Sequence, residues 1–412
     1  MLLTRRQFLG QSAAAIAATA VVPPFLARAA RVAQVTGLGR YGSDAILVVV
    51  QMTGGNDGLN TIVPFGLDGY DDARPNLGMT DANVLPITSR LGMHPEMGKL
   101  HELYQAGQVA VVQGAGYPNP NLSHFRAMDI WHTAAPDTYE TQGWLANHMA
   151  STSEDDANPI YAASISGGVV RALYGNGLSV PAIANLNAYQ FRTDGRYPND
   201  RVNQLAYTSW VYGQNYSSSP FEAHVARTAA NAIASSARVQ EAASAYASDV
   251  EYPTFPLATS LKTVAQLMAG ELGTRVYYTA FGGFDTHSAQ PNTHGRLLGG
   301  FSNSISAFLD DVAQMGKSDR VLIMTFSEFG RRVRENGSQG TDHGTAGPMF
   351  LIGSQVKGGL YGEYPSLSDL DDNRNLKYEV DFRAVYGTAL EAWLGADQMG
   401  TLGARYENVG FI

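Results

Sequence analysis

Apolar, β-branched runs in this chain repeatedly give out among glycines and an acid, and no other feature limits the fold so strongly. Ala45-Ile-Leu-Val-Val-Val-Gln51 ends in Met-Thr-Gly-Gly-Asn-Asp57, and Arg275-Val-Tyr-Tyr-Thr-Ala280 ends in Phe-Gly-Gly-Phe-Asp285-Thr-His287. Val321-Leu-Ile-Met324 leads into Thr-Phe-Ser-Glu328-Phe-Gly-Arg331, and Gly340-Thr-Asp342-His343-Gly-Thr-Ala-Gly347 leads into Pro348-Met-Phe-Leu-Ile352. Runs apolar on both faces read as buried strands of the parallel-sheet kind. In open α/β sheets, sites form outside the carboxyl ends of such strands, and glycines there let backbones approach closely. Asp57, Asp285, His287, Glu328, Asp342 and His343 are therefore expected at one sheet edge.

The intervening segments supply helices. His94–Tyr104 has helical spacing after an irregular loop over 66–92, and Leu261, Val264, Met268 and Leu272 space a second helix. Leu298, Phe301, Ile305, Phe308 and Val312 mark a third, with Asp310 and Asp311 a solvated pair near its end. Lys357–Leu360 reads as a turn, and Asp381 precedes a closing helix. Val109–Val112 is a further strand, followed by a loop in which Asn121 is the expected N-cap of a helix to about His132. Ser123 then falls in the first helical turn, where free N–H groups favour an anion and a serine alkoxide. It is a candidate nucleophile, or simply a serine placed for capping. Strands alternating with helices predict an α/β fold: a doubly wound, mostly parallel sheet flanked by helices.

Residues 151–255 break this rhythm. They are rich in Asn, Ser, Tyr and Ala, with an alanine-rich helical stretch over 221–247. The segment reads as an insertion or cap beside the sheet. Its six Tyr and Phe residues between Tyr189 and Tyr216 suit either packing of a cap helix or a platform for a polymer.

The amino terminus carries Arg5-Arg6, then Phe8-Leu9, a small apolar run over 12–22, and Ala27-Arg-Ala29. That order predicts a signal peptide of the twin-arginine type, cleaved near Ala29, and hence a periplasmic or secreted protein handled by the twin-arginine export machinery. The run is too short for a stable membrane span. Losing residues 1–29 removes three arginines and no acid, moving the formal charge from −9 to −12, which argues against nucleic acid as a partner. There is no cysteine, so any metal must be held by oxygen and imidazole. The 383 residues left after such a cleavage are enough for one large α/β domain, 30–412.

The strand-end groups admit two uses. Asp57, with Asn56 as helper, is a ligand or part of an ordinary Asn-Asp-Gly turn. Asp285 and His287 form an O/N pair suited to a divalent metal. His124, His132 and His148 show no metal spacing, but His124 adjoins Ser123. Arg331 is a clamp for an anionic substrate or a solvated arginine.

Together, Thr53-Gly-Gly-Asn-Asp57, Asn121-Leu-Ser-His-Phe125, Gly282-Gly-Phe-Asp-Thr-His287, Ser327-Glu-Phe-Gly330 and Thr341-Asp-His-Gly-Thr-Ala346 resemble the exported bacterial family catalogued as domain of unknown function 1501. That family is similar in fold and motif order to the alkaline phosphatase and sulfatase superfamily. The resemblance implies a metal-dependent hydrolase of phosphate or sulfate esters, with Ser123 as nucleophile. It makes Asp285, His287 and His343 ligands of one metal and assigns Asp57 and Glu328 to a second. Phe329 stands where that superfamily has a histidine, which leaves the second site oxygen-rich and better suited to magnesium, calcium or manganese than to zinc. Asn56, His124 and Asp342 are then supporting residues, with Asp342 orienting His343. The alternative is a non-catalytic exported binding or scaffold protein that retains the fold, for which Phe329 speaks.

Overall fold

The computed structural model describes residues 44–152, 158, 160–214, 216 and 219–412; the expected signal peptide over 1–29 and the lead-in to residue 43 lie outside them. In chain order the strands are β1 (Ile46–Thr53), the short β2 (Ile62–Val63), β3 (Leu85–Pro86) and β4 (Gly92–Met93), then β5 (Val109–Gly116) and β6 (Ala162–Ser164). They continue with β7 (Val276–Gly282), β8 (Val321–Phe326), β9 (Gly347–Ile352), β10 (Gly359–Tyr361) and β11 (Val380–Asp381). The eight-stranded main sheet has the order β10-β5-β9-β8-β1-β7-β6, with β11 also pairing β5. β2, β4 and β3 form a small separate sheet, of which β3 lies within the stretch 66–92 expected to be an irregular loop and β4 begins at its end.

β1 lies between β7 and β8 and is parallel to both. Its side chains alternate between two cores. Ile46, Val48, Val50 and Met52 enter one and Leu47 and Val49 the other, all close to fully buried. Each such side chain contributes roughly 1.5–3 kcal/mol of burial, so a register slip would be heavily penalised. Over the first face pack the helices Pro256–Ala269 and Gln290–Gln314. Over the second pack His124–Thr133, Trp144–Thr152 and Phe382–Thr388. The chain is thus a doubly wound, mostly parallel α/β sheet flanked by helices.

Four expectations need correction. β9 runs antiparallel to both β8 and β5. A parallel return requires a crossover, usually helical, whereas residues 327–346 form only loops at the strand end, so the chain must run back beside β8. This hairpin-like return places Glu328 and His343 at the same edge. Second, the expected turn at Lys357–Leu360 feeds strand β10, parallel to β5. Third, the helix after β5 starts at His124, so its N-cap is Ser123, while Asn121 accepts the Ser123 backbone N–H at 2.9 Å. Fourth, Asp311 is not solvated: it is buried and accepts the hydroxyls of Tyr246 at 2.6 Å and Tyr252 at 2.7 Å. Both tyrosines come from the segment after the Pro220–Ala245 helix, a partner sequence spacing does not reveal.

Candidate metal centre

The ends of β1, β7 and β8 and the loop before β9 meet at one edge. The close approach is possible because of small residues. Gly54, at φ +120°, lies so near that an added Cβ would stand 2.5 Å from the Asp285 nitrogen, and one at Gly340 would stand 2.2 Å from the His287 carbonyl carbon. Arg331 binds these loops together. Buried among them, its guanidinium donates to the carbonyl oxygens of Gly54, Gly55, Phe284 and Thr341 and, at 2.7 Å, to Asp285 Oδ1. Closed off from solvent and bonded in this way, it holds loops and a carboxylate rather than facing a substrate.

Asp285 Oδ1 is the focus of the edge. His287 Nε2 lies 3.0 Å from it, His343 Nε2 3.2 Å and His124 Nε2 3.5 Å. The Nε2 atoms of His287 and His343 are 3.1 Å apart. Burial alone would raise the Asp285 pKa, but the hydrogen bond from Arg331 and the neighbouring imidazoles outweigh it and hold the carboxyl down at about 2. A carboxylate is therefore present at any ordinary pH.

Each imidazole is oriented through its other nitrogen by an oxygen that can only accept. His124 Nδ1 meets Glu328 Oε1 at 2.9 Å, His287 Nδ1 meets Asp342 Oδ1 at 3.1 Å, and His343 Nδ1 meets the Leu122 carbonyl at 2.8 Å. In the neutral rings Nδ1 then carries the proton, and all three Nε2 lone pairs turn towards one carboxylate oxygen. Lone pairs and an anion repel unless a cation lies among them. His124 Nε2 makes the point: it is buried without a hydrogen-bond partner among the described residues. The distances from Asp285 Oδ1 to the three nitrogens, 3.0–3.5 Å, bracket the roughly 3.3 Å edge of a tetrahedron whose ligands stand about 2.0 Å from zinc, and the donor atoms of His124, Asp285 and His343 all lie within 4.8 Å of one another. His124, Asp285 and His343 have the donor types and spacing to hold a metal ion, and His287 adjoins them. Asp285 and His287 are solvent-exposed, leaving one side open.

Other residues singled out in the sequence lie elsewhere. Asp57 is buried, both its oxygens held by Arg74 at 2.6 and 3.0 Å and one also by Gln290 at 2.5 Å. Burial opposes its ionisation, but Arg74 wins and its pKa is lowered. Glu328 is buried too, accepting the Gly54 N–H at 2.8 Å besides orienting His124. The structure thus does not bring Asp57 and Glu328 together as an oxygen-rich site. Asn56 accepts from His294 and Thr61 beneath the edge. Asp342 orients His287, not His343 as expected. Ser123 is exposed at the helix start, immediately before His124, and its hydroxyl makes no capping bond. His132, hydrogen-bonded to Tyr278 and Gln51, and the buried His148 are core histidines.

Three relationships escaped the sequence: His124 among the donors, Arg331 as a loop tie, and Gln290. The Gln290 Oε1 accepts the hydroxyls of both Thr286 and Thr341, at 2.9 and 2.6 Å, and so couples the loop of His287 to that of His343. Only the Ser-His pair at a helix start hinted at the first.

An α/β sheet with imidazoles and a carboxylate converging at its carboxyl edge defines a candidate metal-binding protein. The profile of the family described as "Protein of unknown function (DUF1501)" matches residues 80–393, and the chain belongs to that family. Among curated proteins none shows significant sequence similarity. Among solved structures, the chain is similar to the C-terminal periplasmic domain of EcEptC from Escherichia coli in complex with Zn, at 10% identity and TM-score 0.37, covering 77% of this chain and 75% of that one. It is similar to the PsFucS1 sulfatase from Pseudoalteromonas sp., at 11% and 0.37, covering 92% and 72%. It is similar also to alkaline phosphatase from the Antarctic bacterium TAB5, at 9% and 0.29, covering 76% and 92%. These likenesses are distant and say nothing about activity.

Proposed function

We propose that the protein is an exported, metal-dependent hydrolase of phosphate or sulfate esters with one metal. The observation that carries this is the convergence of three Nδ1-anchored imidazoles on Asp285 Oδ1. His124, His287, His343 and Asp285 would hold a divalent cation, and a nitrogen-rich set of this kind favours zinc over magnesium, calcium or manganese. When bound, such an ion supplies a Lewis acid that polarises the ester and offsets charge on its oxygens. Asp57 and Glu328 have other partners, so the reading uses one metal rather than two.

Ser123 is the nucleophile in this reading. Its hydroxyl is exposed at a helix start beside the ligand His124 and is free of capping. The first-turn N–H groups favour the alkoxide there. A bond forms from Ser123 Oγ to phosphorus or sulfur, the bond to the leaving oxygen breaks, and the serine proton ends on the departing alcohol. Water then cleaves the serine ester. Residues 151–255 are a cap in this reading, although among their described residues β6 joins the main sheet as its edge strand, parallel to β7. Export through the twin-arginine machinery to the periplasm, after loss of residues 1–29, completes the proposal. Among the described residues no helix is long and apolar enough to cross a membrane.

The second reading, a binding or scaffold protein without chemistry, draws on Phe329. Its buried ring packs 4.6 Å from the His343 ring and 4.8 Å from His124, where the resemblance expects another ligand. Elemental analysis of protein purified without chelator, beside Asp285→Ala and Ser123→Ala, separates the two. The hydrolase requires metal in the wild type, its loss in Asp285→Ala, and ester turnover that disappears in Ser123→Ala with metal retained. Bound metal with no turnover across phosphate and sulfate esters supports the scaffold.

A further inference from the structure

The imidazoles of His124 and His343 and the phenyl ring of Phe329 pack as a triangle. Their centroids stand 4.5 Å apart for the two histidines, 4.8 Å for His124 and Phe329, and 4.6 Å for His343 and Phe329. The phenyl ring is tilted by 39° against one imidazole and 36° against the other, while the imidazoles meet edge to face at 75°. Phe329 is itself held in place. The Trp131 indole donates to the Glu328 carbonyl before it at 2.8 Å, and the Gly330 N–H after it donates to the Thr345 carbonyl at 2.5 Å. Against the ring edge lies Gly55, at φ +78°, where an added Cβ would collide with the ring. Phe329 also lines a cavity of about 780 Å³, which neither Asp285 nor any of the three histidines lines. The ring, 4% exposed, is thus a partition between that cavity and the metal centre.

An Nδ1 hydrogen bond fixes one point of an imidazole and leaves the ring free to swing about that bond. A flat ring packed against it removes the swing, and tilted rings at these separations attract one another. An apolar wall beside a metal also decides from which side water can reach it. We propose that Phe329 is a positioning residue of the metal centre. Wedged against His124 and His343, it fixes the angle at which their Nε2 atoms converge, and it closes the centre on the cavity side. Water or substrate then reaches the ion only past the exposed Asp285 and His287. This inference rests on metal binding by the histidines in the reading above, and not on hydrolysis.

The test uses the full chain loaded with cobalt(II), whose visible spectrum reports coordination: strong bands for four ligands, weak ones for five or six. Wild type, Phe329→Ala and Phe329→Leu are compared at saturating cobalt, with circular dichroism as the control for folding. Phe329→Ala opens the partition, so its bands are expected to weaken as water joins from the cavity, and its affinity for zinc to fall about 10- to 100-fold in chelator competition. Phe329→Leu keeps an apolar plug without flat faces. It is expected to retain strong bands at a shifted wavelength, with a smaller loss of affinity. A fall in affinity with an unchanged saturated spectrum makes Phe329 an ordinary core residue and overturns the proposal. If Phe329→Ala does not fold, the leucine variant decides: an unshifted band there overturns it. A wild type that takes up no cobalt removes the metal centre, and this assignment with it. The expected spectral changes without turnover of any ester leave the assignment standing and remove the hydrolase.

Discussion

The Nε2 atoms of His287 and His343 stand 3.1 Å apart, and the Nδ1 of each ring faces an oxygen that can only accept. Two lone pairs held at this distance repel, so the pair is stable only with a cation between them or a proton taken up. Because Asp342 fixes the His287 ring, Asp342→Asn is expected to weaken zinc binding about 10- to 100-fold without altering the fold. Competition titration against a chelator measures this, with circular dichroism as the control. Unchanged affinity would remove Asp342 from the site.

Asp57 carries a different prediction from the one its motif suggests. Its carboxylate neutralises Arg74, and both side chains are fully buried. Asp57→Ala would leave an uncompensated guanidinium and should cost about 3–5 kcal/mol in urea unfolding. The loss should be the same in excess chelator as in zinc. A loss seen only with zinc present would mark Asp57 as a ligand after all.

Gln290 links that pair to the metal loops, with its amide N–H on Asp57 and its carbonyl under the Thr286 and Thr341 hydroxyls. Gln290→Leu strands two buried hydroxyls and a carboxylate lone pair, which should cost about 2–4 kcal/mol. Thr286 precedes His287 and Thr341 lies two residues before His343, so zinc affinity should fall too, although Gln290 is no ligand. A urea titration and a chelator competition on the same preparation test both.

The sheet was legible because β1, β5, β7 and β8 are apolar on both faces, and only a doubly covered sheet buries such runs. The edge was legible because glycines and acids gather where those runs stop. The partnership of each acid was not. Asp57 and Asp285 follow strands in nearly the same sequence grammar, Gly-Gly-x-Asp, yet one is ion-paired to Arg74 and the other receives the imidazoles. What separates them is Arg74, an arginine from a short helix end that sequence periodicity gives no reason to connect with β1. Arg331 misled in the opposite direction: proximity to the edge suggested a substrate clamp, and the loops closed around it instead. The direction of β9 was missed because a buried antiparallel strand between two covered neighbours has the same apolar pattern as a parallel one.

Ser123 separates catalysis from stability. An N-cap serine that bonds the first turn loses about 1 kcal/mol on change to alanine, but the Ser123 side chain makes no such bond. Ser123→Ala is therefore expected to change unfolding free energy by less than about 0.5 kcal/mol. Turnover should fall at least about 10³-fold, as for loss of a covalent nucleophile. Equal loss of turnover and stability would point to a capping role only.

Buried histidines away from the candidate metal centre predict how stability depends on pH. Burial lowers the pKa of His294 to about 3, and that of His94 and His132 to about 4. Each ring therefore stays neutral in the fold at pH values where the unfolded chain, with its ordinary histidine pKa near 6.5, takes up a proton. The unfolded state binds more protons in that window, so stability rises with pH there. Stability from these rings is fully present above about pH 6.5 and is lost as pH falls towards 4 and then 3. The slope is about 1.4 kcal/mol per pH unit for each ring that remains neutral. Melting temperature measured from pH 8 to pH 5 in chelator, which removes metal release as a cause, should be flat above neutrality and fall below it. His132→Gln, placed against Gln51 and Tyr278 at the opposite end of the helix that begins at His124, should reduce the slope by about one proton. An unchanged slope in that variant would mean that the acid sensitivity comes from other groups.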